Sequence, residues 1–173
     1  MIMRVAVVGA GNVGCALATH LSLRGHDVRL CTRSEERLRP IREAGGLTVT
    51  GAVQGSTPIA LLTTSLPQAV AGADVIAVTV PTPALPHYAP ALAQAITDDQ
   101  LLWLNPGHSG GALYVAAEIV RITGWRGRPV RQLSTASSTP SCTRRRWSAT
   151  PAGSRRPAQR HRKSWPGRTQ RHG

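Results

Sequence analysis

The chain has no phenylalanine, and Lys163 is the only lysine among its 21 basic residues. Without Phe, a core must be built from Leu, Val, Ile and Ala. Acidic residues are scarce as well: all 8 lie between Asp27 and Glu118. No apolar run approaches the roughly 20 residues of a membrane span. The stretch Val5-Ala6-Val7-Val8 behind Arg4 is too short for a signal peptide and runs straight into glycines. The cytoplasm is therefore the expected compartment, with no membrane partner. The 3 cysteines, Cys15, Cys31 and Cys142, have no zinc-site spacing, and their odd number gives no disulfide framework. No metal site is expected, and Cys15 and Cys31 read as small buried hydrophobes.

What is present is unevenly spread. The formal net charge is +13 over 173 residues. Of the 21 Lys and Arg, 11 precede Ser134, which leaves that part near +3 (11 minus 8); the remaining 10 fall in a segment without acids. From Ser134 to Gly173 there is also no Ile, Leu, Val, Met, Phe or Tyr. Such a segment buries too little apolar area to offset chain entropy. Two parts are expected: residues 1–133 as one α/β domain, and residues 134–173 as a disordered basic tail rich in Arg, Ser and Pro.

Within the first part, buried-strand and helix patterns alternate. Val5–Val8 reads as a strand, followed by a helix over Asn12–Leu23 in which Val13, Ala16, Leu17, His20 and Leu21 recur at helical spacing, closed by Gly25. Asp27–Cys31 reads as a strand. Ser34 caps a helix that reaches about Ala44, with a kink or early end at Pro40. Leu47–Thr50 and Ile59–Thr63 read as strands separated by a Gly-rich turn. Ser65–Ala71 is a short helix and Val75–Val80 a buried strand. A helix through Tyr88, Leu92 and Ile96 starts near His87 or enters through its Pro-rich first turn. Leu101–Leu104 is a strand, and Gly110–Thr123 a helix with Leu113, Ala116, Ala117 and Val120 along one side. Val130–Leu133 begins a last strand. This alternation predicts a doubly wound parallel sheet of Rossmann type.

The chemistry sits between the first strand and the first helix, in Gly9-Ala10-Gly11-Asn12-Val13-Gly14. Gly9 permits the tight turn out of the strand. Gly11, without a side chain, lets a pyrophosphate approach the backbone. Gly14 lets the helix pack against the strand. The free N–H groups of Asn12 and Val13 at the helix start attract phosphate. A GxGxxG alone is weak evidence; here it lies in the strand–turn–helix context that a dinucleotide site needs.

The tip of the second strand reads on the type of dinucleotide. An acid there binds the ribose 2′-hydroxyl of NAD, whereas an Arg accommodates the 2′-phosphate of NADP. Leu30-Cys31-Thr32-Arg33-Ser34 has no acid at the tip, and Arg33 pairs well with phosphate. NADP is favoured over NAD; the competing reading has Arg33 solvated and Glu35 or Glu36 serving the ribose. Pro81 and Asn105 follow two further strands, where ligands of open α/β sheets lie, and Asn105 suits the nicotinamide end. His108 is a loop histidine with no carboxylate nearby in sequence, so no catalytic role is assigned to it.

These residues also carry a resemblance. Val5 to Gly14, followed by Gly25-His26-Asp27-Val28-Arg29-Leu30, resembles the N-terminal domain of the octopine/opine dehydrogenase family. It is similar as well to the N-terminal domains of NAD-dependent glycerol-3-phosphate dehydrogenase and ketopantoate reductase. Two loops favour the opine group: Val78-Thr79-Val80-Pro81-Thr82-Pro83-Ala84, and Asn105-Pro106-Gly107-His108-Ser109-Gly110-Gly111-Ala112-Leu113. The resemblance reaches from Met1 to about Thr135. It implies that Gly9, Gly11 and Gly14 contact the pyrophosphate and that Thr32 and Arg33 lie near the adenosine ribose. It also implies hydride transfer between nicotinamide and a carbonyl or imine carbon. The helical C-terminal domain that supplies catalytic residues in such enzymes has no counterpart after Leu133. Catalytic residues are therefore unassigned, and a small-molecule substrate is expected only where such a domain is supplied.

Three readings of the tail stay open. Arg144-Arg145-Arg146-Trp147 suits phosphate contact and base stacking, which would make the chain a Rossmann sensor with a nucleic-acid-binding tail. The tail can also be a solvated extension without function, or an out-of-frame translation of a GC-rich gene. The abrupt loss of every large aliphatic residue after Leu133 favours the last, and nucleic acid is not the expected partner.

Overall fold

The computed structural model describes residues 1–50, 54–105, 110–124 and 131–132. Six strands form one parallel sheet: β1 (Arg4–Val8), β2 (Asp27–Cys31), β5 (Leu61–Thr63), β6 (Val75–Val78), β7 (Leu101–Leu104) and β8 (Arg131–Gln132). Their spatial order is β5-β2-β1-β6-β7-β8. The chain winds outward from β1 to β5, then returns to the other side of β1 to lay down β6. The reversal between β1 and β6 is the topological switch point of a doubly wound sheet, where a crevice opens at the carboxyl ends of the strands.

Two layers of helix cover the sheet. On one face α3 (Leu66–Val70), α4 (Leu85–Ala95) and α5 (Gly111–Thr123) pack Leu66, Val70, Tyr88, Leu92, Val115 and Ile119 against Val8, Ile76, Val78, Leu102 and Leu104. On the other face α1 (Asn12–Leu23) and α2 (Glu35–Glu43) pack Cys15, Ala18 and Ile41 against Val5, Val7, Val28, Leu30 and Ala77. The central strands are apolar on both faces because both faces are covered. The missing Phe is made up by branched aliphatics: Val7, Val8, Leu30, Leu38, Ile76, Leu92 and Ile119 are all fully buried.

Local signals hold where they specify backbone geometry. Gly25 adopts φ +82°; its N–H bonds the Ser22 carbonyl and that of His26 bonds Leu21, a Schellman closure of α1. Ser34 takes the N-cap position of α2 but its side chain makes no cap hydrogen bond; Ser65, read as the first residue of its helix, instead caps α3 by accepting the Gln68 N–H at 3.4 Å.

Two expectations are narrowed and two corrected. First, α2 reaches Glu43, with Ala44 as its C-cap, as its pattern predicts, and Pro40 does not end it early. The carbonyl left without its donor is that of exposed Glu36, where water can serve. Second, the Gly-rich stretch after Val49 is not only a turn. It contains β4 (Gly55–Thr57), which pairs antiparallel with β3 (Leu47–Val49) in a separate two-stranded ribbon, and only Leu61–Thr63 joins the main sheet. Third, of the two starts read for α4 the structure has the entry through the Pro-rich first turn: the helix begins at Leu85 with Pro86 in that turn, behind a 3₁₀ turn at Thr82–Ala84. Fourth, α1 and α5 bury other faces than their most apolar ones. The sheet receives Gly14, Cys15, Ala18 and Thr19 from α1, while Val13 stays 45% exposed. It receives Ala112, Val115 and Ile119 from α5, leaving Leu113 76% and Val120 52% exposed. Close approach to the sheet selects small side chains on α1. On α5 two apolar stripes compete, and the one with Val115 and Ile119 fills the core. The tail beyond Gln132 lies outside the described residues.

Candidate functional site

The register of the sheet aligns its carboxyl edge. Val8 is paired with Cys31 and with Val78, Cys31 with Thr63, and Val78 with Leu104. Pairing continues one residue past the strands: Thr32 N–H bonds Thr63 O at 3.2 Å, Gly9 bonds Cys31 at 2.8 Å, Thr79 bonds Val8 at 2.8 Å and Asn105 bonds Val78 at 2.9 Å. Four segments far apart in sequence thus present Thr32, Gly9, Thr79 and Asn105 along one edge.

At the centre of that edge, each glycine of the loop has its own environment. Gly9 turns out of β1 with φ +116°, and a Cβ there would stand 2.8 Å from Thr79 Oγ1. At Gly14 a Cβ would fall 1.7 Å from the Gly9 carbonyl oxygen, so α1 can approach β1 only with glycine at this position. Gly11 differs: its φ is −86°, as the N-cap of α1, and a Cβ would meet nothing within 4 Å. Open space lies over the start of the helix. No side chain caps this end, and no acid lies in its first turn. The first N–H groups of α1 and the positive end of its dipole therefore face that space uncompensated.

Thr79, which sequence reasoning did not single out, holds the loop from behind. It is 7% exposed, and its hydroxyl is shared between the carbonyl oxygens of Val8 and Gly9, each at 3.0 Å. The sequence pattern places it inside a strand over Val75–Val80; the strand ends at Val78, which puts the Thr79 hydroxyl at the sheet edge. Its importance follows from β6 lying next to β1, which strand order decides.

At the tip of β2, Thr32 is buried and Arg33 exposed. Arg33 is not simply solvated: its guanidinium carbon stands 5.1 Å from the centre of the Tyr88 ring. The next acid along the chain, Glu35, is ion-paired with Arg42. Pro81 is exposed and starts the 3₁₀ turn before α4, its carbonyl accepting the Ala84 N–H at 2.8 Å. Asn12, Val13 and Asn105 come together in a groove of about 350 Å³ that is completed by Ala16, Leu17, His20 and Val49. Of the apolar stripe of α1, Val13, Ala16 and Leu17 line this groove, while Leu17 and Leu21 also pack against the edge of the core. His108 lies outside the described residues, as does the tail with its nucleic-acid reading.

Residues 4–102 match the family model described as "NADP oxidoreductase coenzyme F420-dependent". The chain belongs to this family. It is 35% identical over 134 residues to an opine dehydrogenase of Arthrobacter sp. (strain 1C), covering 77% of this chain and 36% of that protein. It is 34% identical over 99 residues to a glycerol-3-phosphate dehydrogenase [NAD(P)+] of Limosilactobacillus reuteri (strain DSM 20016), covering 57% of this chain and 29% of the relative. In fold it is similar to octopine dehydrogenase in a structure with NADH and pyruvate, with a TM-score of 0.59 at 24% identity over 70% of this chain and 33% of that one. The chain is an NAD(P)-binding oxidoreductase domain resembling opine dehydrogenase, and it spans about a third of the length of the curated relatives it matches. Among the described residues no helix is long and apolar enough to cross a membrane, and no cluster of three or more His, Cys, Asp or Glu is arranged to hold a metal ion.

Both described cysteines, Cys15 and Cys31, are buried free thiols. Burial pushes the Cys31 pKa up to about 11. Burial also raises that of Cys15, with the Arg37 charge opposing it. Neither is a thiolate at neutral pH, so neither supplies a nucleophile.

Proposed function

We propose that the domain binds NADP(H) in the crevice between β1 and β6. The pyrophosphate lies over Gly11, held by the N–H groups of Asn12 and Val13, while Gly9 and Gly14 give the loop its shape. Arg33 pairs with the 2′-phosphate of the adenosine ribose beside Thr32. Pro81 and Asn105 flank the path to the nicotinamide, which supplies or accepts hydride when the cofactor is bound. The observation that carries this reading is the open space over Gly11 at an uncapped helix start on the switch point, where the bare backbone lets a doubly charged pyrophosphate approach and a Cβ would project into its path. The preference for NADP rests on Arg33, which has no acid at the strand tip to repel a phosphate, with Glu35 engaged by Arg42.

Hydride transfer to a carbonyl or imine carbon, the chemistry of an opine-type dehydrogenase, then needs a substrate-binding part beyond residues 1–133. No residue described here is assigned to catalysis. The two buried thiols suit a reducing, cytoplasmic setting. Titrating the full chain with NADPH and with NADH, followed by cofactor fluorescence, tests the reading. Saturable binding of both is expected, with NADPH about tenfold tighter from its charge-assisted contacts. Absence of binding for either at millimolar concentration would overturn the site, and tighter NADH would overturn the preference.

A further inference from the structure

Tyr88 is placed to do more than fill the core. It lies on α4, follows β6 on one side of the switch point, and is 7% exposed among Leu85, Ala89 and Leu92. Arg33 comes from the tip of β2, on the other side of β1. Cys31, two residues before Arg33, packs in the same apolar cluster as Tyr88. The Arg33 guanidinium, 5.1 Å from the ring centre, therefore bridges elements from the two halves of the sheet.

A guanidinium lying over an aromatic ring uses one face for the cation–π contact. Its N–H groups project in its own plane and stay available. No hydrogen bond or ion pair occupies those of Arg33 among the described residues, and Glu35 is turned to Arg42. A charge held in this way loses less freedom on meeting a phosphate than a free side chain does. A lysine ammonium in its place would keep the charge and lose both the planar fork and the stacking geometry.

We propose that Tyr88 is a positioning residue for cofactor specificity: its ring holds the Arg33 guanidinium with its N–H edge ready for the 2′-phosphate of NADPH. This rests on the reading of Arg33 as the 2′-phosphate partner and adds to it a residue from α4. The ring acts only through Arg33, so it affects the ligand that carries the phosphate and leaves the other untouched.

The test measures affinity for NADPH and NADH, by cofactor fluorescence on the full chain, for the unaltered protein and for Tyr88→Phe, Tyr88→Met, Arg33→Lys and Arg33→Ala, each with its melting temperature. Tyr88→Phe should keep the NADPH:NADH ratio, because the ring remains. Tyr88→Met should weaken NADPH by about two- to fivefold with NADH unchanged. Arg33→Lys should lose at least as much, although the charge is kept, because the planar fork goes together with the stacking; Tyr88→Leu replaces Tyr88→Met, with the same expectation, if that variant fails to fold. Equal weakening of both cofactors in Tyr88→Met marks a purely structural residue and overturns the proposal. So does Arg33→Lys with the full preference retained. If Arg33→Ala leaves the ratio unchanged, the underlying 2′-phosphate reading fails with it. If Arg33→Ala loses the preference while Tyr88→Met and Arg33→Lys keep it, only the role of the ring fails.

Discussion

Gly11 and Gly14 are three positions apart in one motif, yet substitution should separate them. A Cβ at Gly14 would stand 1.7 Å from the Gly9 carbonyl, so Gly14→Ala must force α1 away from β1. A cost of about 3 kcal/mol is expected, at the upper end of overpacking effects, read as a fall in the urea midpoint. At Gly11 the backbone is in a region open to any residue and the Cβ position is empty. Gly11→Ala should leave the midpoint nearly unchanged and weaken dinucleotide binding by about tenfold or more, roughly 1.4 kcal/mol. Equal behaviour of the two variants in both assays would contradict this division. The buried thiol of Cys31 gives a second prediction at this scale. Its folded pKa, about 11, lies above the ordinary value of 9.0. The unfolded chain therefore releases this proton first as pH rises, and the contribution to stability is complete below about pH 9 and lost between about 9 and 11. Urea midpoints should fall across that window, and Cys31→Ala should reduce the fall.

Helices show where packing overrules pattern. The apolar stripe of α5 through Leu113 and Val120 is as regular as the one through Val115 and Ile119, and periodicity alone cannot choose between them. The sheet chooses the second: Ile119 is fully buried while Val120 is 52% exposed. Ile119→Ala should cost about 2–4 kcal/mol, whereas Val120→Ala should stay within roughly 0.5 kcal/mol. Denaturant titrations of the two variants check this, and similar costs would mean that α5 is rotated about its axis. On α1 the same choice bears on the site, because the small face goes to the sheet and Val13, Ala16 and Leu17 are left to line the groove beside Asn105. Gly25 and the carboxyl ends of β1, β2, β5 and β7 were readable because each is a local backbone demand, whereas β6 stops at Val78, two residues before the predicted Val80. The hairpin of β3 and β4 was not: β4 is only Gly55–Thr57, too short and polar to register as a strand, and its partner and its contact with α1 stabilise it rather than its own propensity.

The whole molecule is where the site exists. Gly9 and Asn105 were readable as strand-end residues, and Arg33 as the tip of the second strand. That Gly9, Thr32, Thr79 and Asn105 share one edge depends on the order β5-β2-β1-β6-β7-β8 and on its register. The composition change after Leu133 makes a prediction about the gene. Another reading frame downstream should encode a helical domain rich in large aliphatic residues. Sequencing the coding DNA checks it, and the absence of such a domain from both other frames would remove the frameshift reading.

The sequence by itself determined the fold class, the strand–turn–helix that carries Gly9, Gly11 and Gly14, and the missing acid at the tip of β2. Each of these depends on interactions between residues close along the chain: hydrophobic period, positive-φ turns and helix ends. Only the tertiary structure decided which faces of α1 and α5 are buried, that Thr79 holds the glycine loop, and that Arg33 rests on Tyr88. Those depend on strand order and on competition between apolar surfaces, which are settled by packing the whole sheet at once.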